Sequence, residues 1–262
     1  MIGINYTCQG ESHKATNKVC QDYSYCSIQE QLSIAVVCDG HGGEHYFRSN
    51  IGAEIATNVT VDCVTRFVNQ IDTDLFLNKP FTQKSANTTE AANLSLLTKQ
   101  TPIDDAFTQL FSSIIFNWRE KISQHAVDTP SSEWEINNVP KKYQDELSQN
   151  LNPEKIYGCT LMCYVQTSTY WFAFQIGDGK CVCIAQDGSM YEPIPWDEDC
   201  QANITTSICD SEAIEEFRYC FRKDLPVATL MGTDGIDDSY ASSEEMYVLY
   251  RSILAIFAEH GR

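Results

Sequence analysis

The chain has 262 residues, with 36 acidic and 18 basic side chains and a formal charge of −18. At 43% hydrophobic and 21% charged residues it has the composition of a folded globular protein, which excludes disorder throughout. No apolar run approaches the ~18 residues of a membrane span. Residues 1–7 have neither the basic segment nor the long apolar stretch of a signal peptide, so a cytoplasmic protein is expected. The acidic balance argues against nucleic acid or an anionic membrane as the main partner, because phosphate-backbone binding needs clustered Lys and Arg. Twelve cysteines are scattered through the chain without a Cys-x-x-Cys spacing, most of them inside apolar runs. That pattern predicts buried free thiols rather than disulfides or a structural zinc site.

The first forty residues read as strands. Tyr23 to Gln29 alternates loosely, and Leu32 to Cys38 is a buried strand that stops at Asp39-Gly40-His41-Gly42-Gly43. A long helix follows, with Ile51, Ile55, Val59, Cys63 and Phe67 on one stripe. Residues 70–101 read as polar and irregular, with 85–90 as a mobile part. A second helix opens at Thr101-Pro102 and carries the stripe Ile103, Ala106, Phe107, Leu110, Phe111, Ile114, Ile115 and Trp118. Residues 127–155 are again polar.

From Tyr157 the pattern changes to strands. Gly158–Gln166, Tyr170–Ile176 and Lys180–Ala185 read as consecutive antiparallel hairpins. Val227–Gly232 is another strand, and a last helix begins at Ser242 with Glu245 completing a capping box. Strands, two helices, strands and a helix make an α+β chain, read as a single domain over 1–262 with a helical, variable insert at 70–155.

The chemistry-bearing residues are aspartates that end apolar strands, namely Asp39, Asp178 and Asp234, each followed by Gly. A strand end fixes a carboxylate in space, and several such carboxylates at one sheet edge repel unless a hard divalent cation sits between them. Asp187-Gly188, by contrast, reads as ordinary turn chemistry. The pentad Asp39–Gly43 resembles the signature of the PPM-type (type 2C) metal-dependent serine/threonine protein phosphatases. Gly158-Cys159-Thr160, Gly177-Asp178-Gly179-Lys180, and Thr233-Asp234-Gly235 with Asp238 resemble that family's later motifs, in order. Gly10 to His13 and Cys20-Gln21-Asp22 are similar to the opening of a bacterial branch.

The resemblance implies a two-sheet antiparallel β-sandwich flanked by helices, with the family's closing strand not seen before Arg262. It implies two Mg²⁺ or Mn²⁺ ions, with a third, weaker site, and direct attack of an activated hydroxide on phosphoserine or phosphothreonine in proteins without a phosphoenzyme. By position, Asp39 would bridge the ions, the Gly40 carbonyl and Asp234 would each bind one, and Asp22 would hold a bound water. Asp178 and Asp238 would surround the weaker site. His41 would be the general acid, and Lys14 or Lys18 the cation for the substrate phosphate.

Several positions depart from the family. Gln21 stands where a second-metal Glu is expected, Asn17 sits near the expected phosphate-binding Arg, and Lys180 replaces an Arg. The closing Asp motif has no counterpart before Arg262, so either the chain belongs to a longer one or the first ion has one ligand fewer. Two further readings stay open: a pseudophosphatase that binds phosphoproteins as a scaffold, and a metallohydrolase of small phosphoesters on the same fold.

Overall fold

The computed structural model describes residues 1–10, 14, 18–77, 82–84, 102–148, 153–200 and 204–260. The first strands are β1 (Tyr23–Ile28) and β2 (Leu32–Cys38). Helix α1 (Ser49–Gln70), a short α2 (Asp74–Leu77) and a short β3 (Thr82–Lys84) follow. Three helices come next: α3 (Pro102–Asp128), α4 (Glu133–Asn138) and α5 (Lys141–Ser148). A 3-10 turn at Pro153–Tyr157 leads into β4 (Leu161–Thr167), β5 (Trp171–Ile176), β6 (Lys180–Ile184) and β7 (Met190–Tyr191). The chain closes with α6 (Ala213–Glu216), β8 (Arg218–Arg222), β9 (Ala228–Gly232), α7 (Asp234–Asp237) and α8 (Ser243–His260).

The strands form a six-stranded sheet, β1-β2-β4-β5-β8-β3, and a three-stranded sheet, β7-β6-β9. Every pairing is antiparallel. Side chains alternate across a strand, and here each face meets a different partner. Leu161, Cys163 and Val165 of β4 and Phe172, Phe174 and Ile176 of β5 pack with the buried faces of α1 and α3. Met162, Tyr164, Trp171 and Ala173 turn the other way and meet Cys181 and Cys183 of β6 between the sheets. Val182 of β6 faces outward to Met246 and Tyr250 of α8. The result is a helix–sheet–sheet–helix stack, the α+β sandwich expected. Strands covered on both faces read as unbroken apolar runs rather than alternating ones, as β4 and β5 do.

Helix α1 differs in part from expectation: Val59 and Cys63 of the expected stripe are buried, but they are not its centre. In α1 the buried side is Gly52, Ala53, Ala56, Thr57, Val59, Thr60, Cys63 and Val64, while Ile51 and Ile55 lie at its flank, partly buried. The small residues win because the helix runs against other backbone. A Cβ at Gly52 would lie 1.8 Å from the Tyr157 carbonyl oxygen, and the Trp118 indole of α3 donates to the Gly52 carbonyl at 3.1 Å. Helix α3 buries the expected stripe, with Ala106 only partly covered and Ile122 added. Its expected cap, Thr101, and the expected mobile stretch 85–90 lie outside the described residues.

Within the stretches read as irregular, α2 forms because Phe76 is fully buried and stacks on Tyr170 at 4.2 Å. Helix α4 starts at a capping box between Ser132 and Glu135. Helix α8 begins as expected: the Glu245 N–H donates to the Ser242 hydroxyl at 3.3 Å. The β4–β5 pair is the expected hairpin, and so is β6–β7 around Asp187-Gly188, where Asp187 accepts from the Ser189 N–H at 2.9 Å. β5 and β6 are not a hairpin. Residues 177–179 carry the chain from one sheet to the other, and β6 pairs with β7 and β9. All twelve cysteines are free thiols, nine of them buried.

The Gly52 contact gives a direct test of the α1 packing. Gly52→Ala should destabilise the protein by about 3 kcal/mol, the upper range for overpacking, in urea denaturation.

Candidate active site

The pentad after β2 is fastened to the start of β4. The Thr160 N–H donates to the Asp39 carbonyl at 2.8 Å, and the His41 N–H to the Gly158 carbonyl at 3.1 Å. These bonds flank an isolated antiparallel bridge between Gly40 and Cys159 and use neither the N–H nor the C=O of Gly40. The Asp39 N–H donates to the Thr160 hydroxyl at 3.1 Å. On the other side, the Gln21 amide nitrogen donates to the His41 carbonyl at 2.8 Å and contacts the Ser49 hydroxyl at 2.6 Å. Ser49 donates to the same carbonyl at 2.9 Å. Gln21 is thus a brace for the loop, a use of its N–H₂ that no carboxylate could serve.

Asp39 meets carboxyls on two sides. Its side chain is in hydrogen-bonding contact with Asp234, at the end of β9, and with Asp22, just before β1. Burial first, then those two carboxyls, push the Asp39 pKa far above the usual carboxylate range. Two carboxyls in contact share a proton when nothing else neutralises them, and a hard divalent cation is the natural replacement for that proton. The donor set therefore fits Mg²⁺ or Mn²⁺. The contacts are pairwise through Asp39: among the described residues no three His, Cys, Asp or Glu side chains already form a closed metal cage.

Asp178 sits on the crossover between the sheets, where Gly177 has φ +104°, a conformation that favours glycine. The turn is held from beneath by a buried ion pair. Arg218 Nε lies 3.5 Å from Asp197 Oδ2, with the two side chains 1% and 0% exposed. The Arg218 guanidinium also donates to the carbonyls of Gly177 and Pro195. The Thr206 hydroxyl donates to Asp197 at 3.0 Å and accepts the Gly177 N–H at 2.9 Å. Asp178 itself is raised above its ordinary pKa by burial and by the charge of Asp234, while the Thr205 hydroxyl pulls the other way. Asp238 adds to that field from the C-terminal end of α7. Lys180 pairs with Asp237 at 3.1 Å and so ties β6 to α7.

The His41 ring is enclosed by Tyr46, edge-on at 4.7 Å between centroids, and by the Ser207 hydroxyl, 2.7 Å from Nε2. Burial first, and then nearby His45, push its pKa down to about 4, against the opposing pull of Asp234. The Lys18 ammonium donates to the Gly42 carbonyl at 3.0 Å, which places one of the two expected cations at the pentad. Lys14 is exposed, with its backbone N–H on the Gly10 carbonyl. His45 stacks on Tyr143 and His125 bonds the Tyr157 hydroxyl. The structure thus brings Asp22, Asp39, Gly40, His41, Asp178, Asp234, Asp238 and Lys18 to one end of the sandwich. Sequence reasoning placed Thr160 in the Gly158-Cys159-Thr160 motif but missed Thr205, Thr206 and Ser207. These hydroxyls carry no motif, and only the fold brings them together.

A family model described as protein phosphatase 2C matches residues 9–261. Among curated proteins, none matches the sequence. Among solved structures the chain is similar to a bacterial serine phosphatase, with 12% identity and a TM-score of 0.45 over 87% of this chain and 78% of that one. It is also similar to the serine/threonine phosphatase Stp1 from Staphylococcus aureus, with 12% identity and a TM-score of 0.44 over 86% of this chain and 74% of the other. A third similar structure is the catalytic domain of the phosphatase PstP in complex with two manganese ions, with 12% identity and a TM-score of 0.43 over 88% and 77%.

Two outcomes follow from the site's electrostatics. Arg218→Met leaves Asp197 buried without its counter-charge, so chemical denaturation should show a loss of about 3–5 kcal/mol. Folding raises the Asp39 pKa, so the metal-free fold holds a proton that the unfolded chain releases. That stabilisation is greatest below the ordinary carboxylate range and is lost as pH rises towards the raised value. EDTA-treated protein should therefore unfold more easily at about pH 8 than at about pH 5. Asp39→Asn should reduce the difference, leaving the part owed to Glu216, which burial pushes up to about 7, and a flat wild-type profile would contradict the account.

Proposed function

The chain belongs to the protein phosphatase 2C family, and on that premise we propose that it hydrolyses phosphoserine and phosphothreonine in proteins with the aid of Mg²⁺ or Mn²⁺. The observation that carries this reading is the contact of Asp39 with both Asp234 and Asp22, a buried carboxyl cluster that calls for a cation. Asp39, Asp234 and the Gly40 carbonyl would hold two ions, with Asp22 beside them and Asp178 and Asp238 around a weaker third. When bound, such ions supply an acidified water and a clamp on the phosphoryl oxygens.

The chain's own residues do the rest. Lys18, fixed on the Gly42 carbonyl, adds positive charge for the substrate phosphate. His41 is the group for proton transfer to the departing serine or threonine oxygen. Burial keeps its imidazole neutral at pH 7, and the negative charge of a bound phosphate favours the protonated form. No thiol nucleophile is needed: Cys159, beside the pentad, is fully buried, and burial pushes its thiol pKa well up. The whole chain is read as one phosphatase-like domain.

A second reading is binding of phosphoproteins without turnover. Gln21 favours it, because its amide nitrogen is committed to the pentad and the side chain adds no charge for a second ion.

Turnover of a phosphothreonine peptide decides between them. The wild-type protein should require Mn²⁺ and stop in EDTA, and Asp39→Asn should lose more than about 100-fold, beyond the loss usual for outer-shell partners of a metal. A folded wild-type protein that binds the peptide but does not turn it over would leave the second reading standing.

A further inference from the structure

Three consecutive hydroxyls, on Thr205, Thr206 and Ser207, reach both halves of the site. Thr205 bonds the Asp178 carboxylate, and Thr206 joins Asp197 to the Gly177 N–H. Ser207, 2% exposed, lies 2.7 Å from His41 Nε2. Its backbone is anchored independently: the Ser207 N–H donates to Asp210 at 2.8 Å, and the Ile208 N–H to the Cys159 carbonyl at 3.1 Å.

The bonds of the Ser207 hydroxyl fix the state of the histidine. The oxygen lies 3.1 Å from the Cys159 carbonyl, which can only accept. A hydroxyl has one proton. Given to Cys159, it leaves the Ser207 oxygen to accept from the imidazole. Given to His41, it would leave two oxygens facing each other at 3.1 Å with no proton between them. The Cys209 thiol at 3.2 Å is a weak acceptor that can itself donate, and the Cys209 N–H points to the Ser207 oxygen at 3.4 Å, so both fit that oxygen as an acceptor.

We propose that Ser207 is a positioning residue that holds His41 as the Nε2–H tautomer and leaves Nδ1 as the ring atom for proton transfer. The assignment of Nδ1 to catalysis rests on the reading of His41 as the general acid. In that step a water oxygen bonds to phosphorus and the P–O bond to serine or threonine breaks with its electron pair on the departing oxygen. That oxygen takes the proton from Nδ1 of the imidazolium, and the attacking water's proton restores it. The Nε2 proton stays on the ring throughout, donated to the Ser207 oxygen. Ser207 thus does for His41 what a partner on the far ring nitrogen does wherever a histidine must present one face.

The tautomer is read directly, without activity, from ¹⁵N NMR of the His41 ring in EDTA-treated wild-type protein at neutral pH. The expected result is a pyrrole-type Nε2 and a pyridine-type Nδ1. An Nδ1–H tautomer overturns the proposal. Ser207→Ala should give averaged tautomer shifts, and Ser207→Thr should restore the single form.

Kinetics separate this from the broader reading. On a phosphothreonine peptide, whose leaving oxygen needs a proton, Ser207→Ala should lower kcat about tenfold with KM little changed. On p-nitrophenyl phosphate, whose leaving group needs none, it should have little effect. Equal losses on both substrates would make Ser207 merely structural and overturn the proposal. His41→Ala should show the same split more strongly. If it shows no split, the general-acid reading fails, whatever the tautomer. If His41→Ala splits the substrates and Ser207→Ala does not, the positioning role fails alone.

Discussion

Like charges buried together are the constraint on which this molecule is built. Asp39 touches Asp234 and Asp22, and Asp178 lies in the field of Asp234 and Asp238. Left to themselves, such carboxyls would swing apart into water. They stay together because each leaves a strand or turn that is itself bound to another element. Asp39 follows β2 and is tied to Thr160, Asp234 follows β9, and Asp178 rides on the crossover between the sheets. The sandwich is thereby a frame that keeps repelling groups in place, and its two sheets contribute from opposite sides.

The frame has its own internal charge, of a different kind. Arg218 and Asp197 are buried as a pair, and a pair of this sort adds little net stability compared with apolar residues of the same shape. Its value is directional. Guanidinium, carboxylate and the Thr206 hydroxyl together fix both the N–H and the C=O of Gly177. An apolar core residue could fill the same space but could not orient a peptide plane. The Arg48–Glu135 pair, at 3.1 Å, plays a comparable part where α1 meets α4.

Much of this could be read from the sequence because strand ends announce themselves. A buried apolar run that stops at Asp-Gly gave β2, β9 and the approach to Asp178, and with them the acidic half of the site. The misreadings have physical causes. The α1 stripe holds at Val59 and Cys63, while Ile51 and Ile55 lie at the flank because close backbone packing favours Gly and Ala over larger residues, which periodicity weighs more heavily. The turn at 177–179 looked like a hairpin because the same Gly-Asp-Gly residues serve equally well to change sheets. Strand β8 went unnoticed because Arg218 and Arg222 bracket it, and only the buried partner Asp197 makes a strand with such a residue tolerable. Ser207 left no trace in the sequence, since a single hydroxyl gains meaning from a neighbour 166 residues away.

The distribution of the thiols has a consequence of its own. Buried cysteines occupy β2, α1, β4, β6 and β8, so nearly every layer of the sandwich carries one. Burial raises the pKa of Cys163 and Cys220, which leaves them protonated and inert in the closed fold. A thiol reagent can reach each only when its own layer opens. The protein therefore carries an internal set of clocks for local unfolding, and their labelling rates would order the sheets and helices by how readily each comes apart.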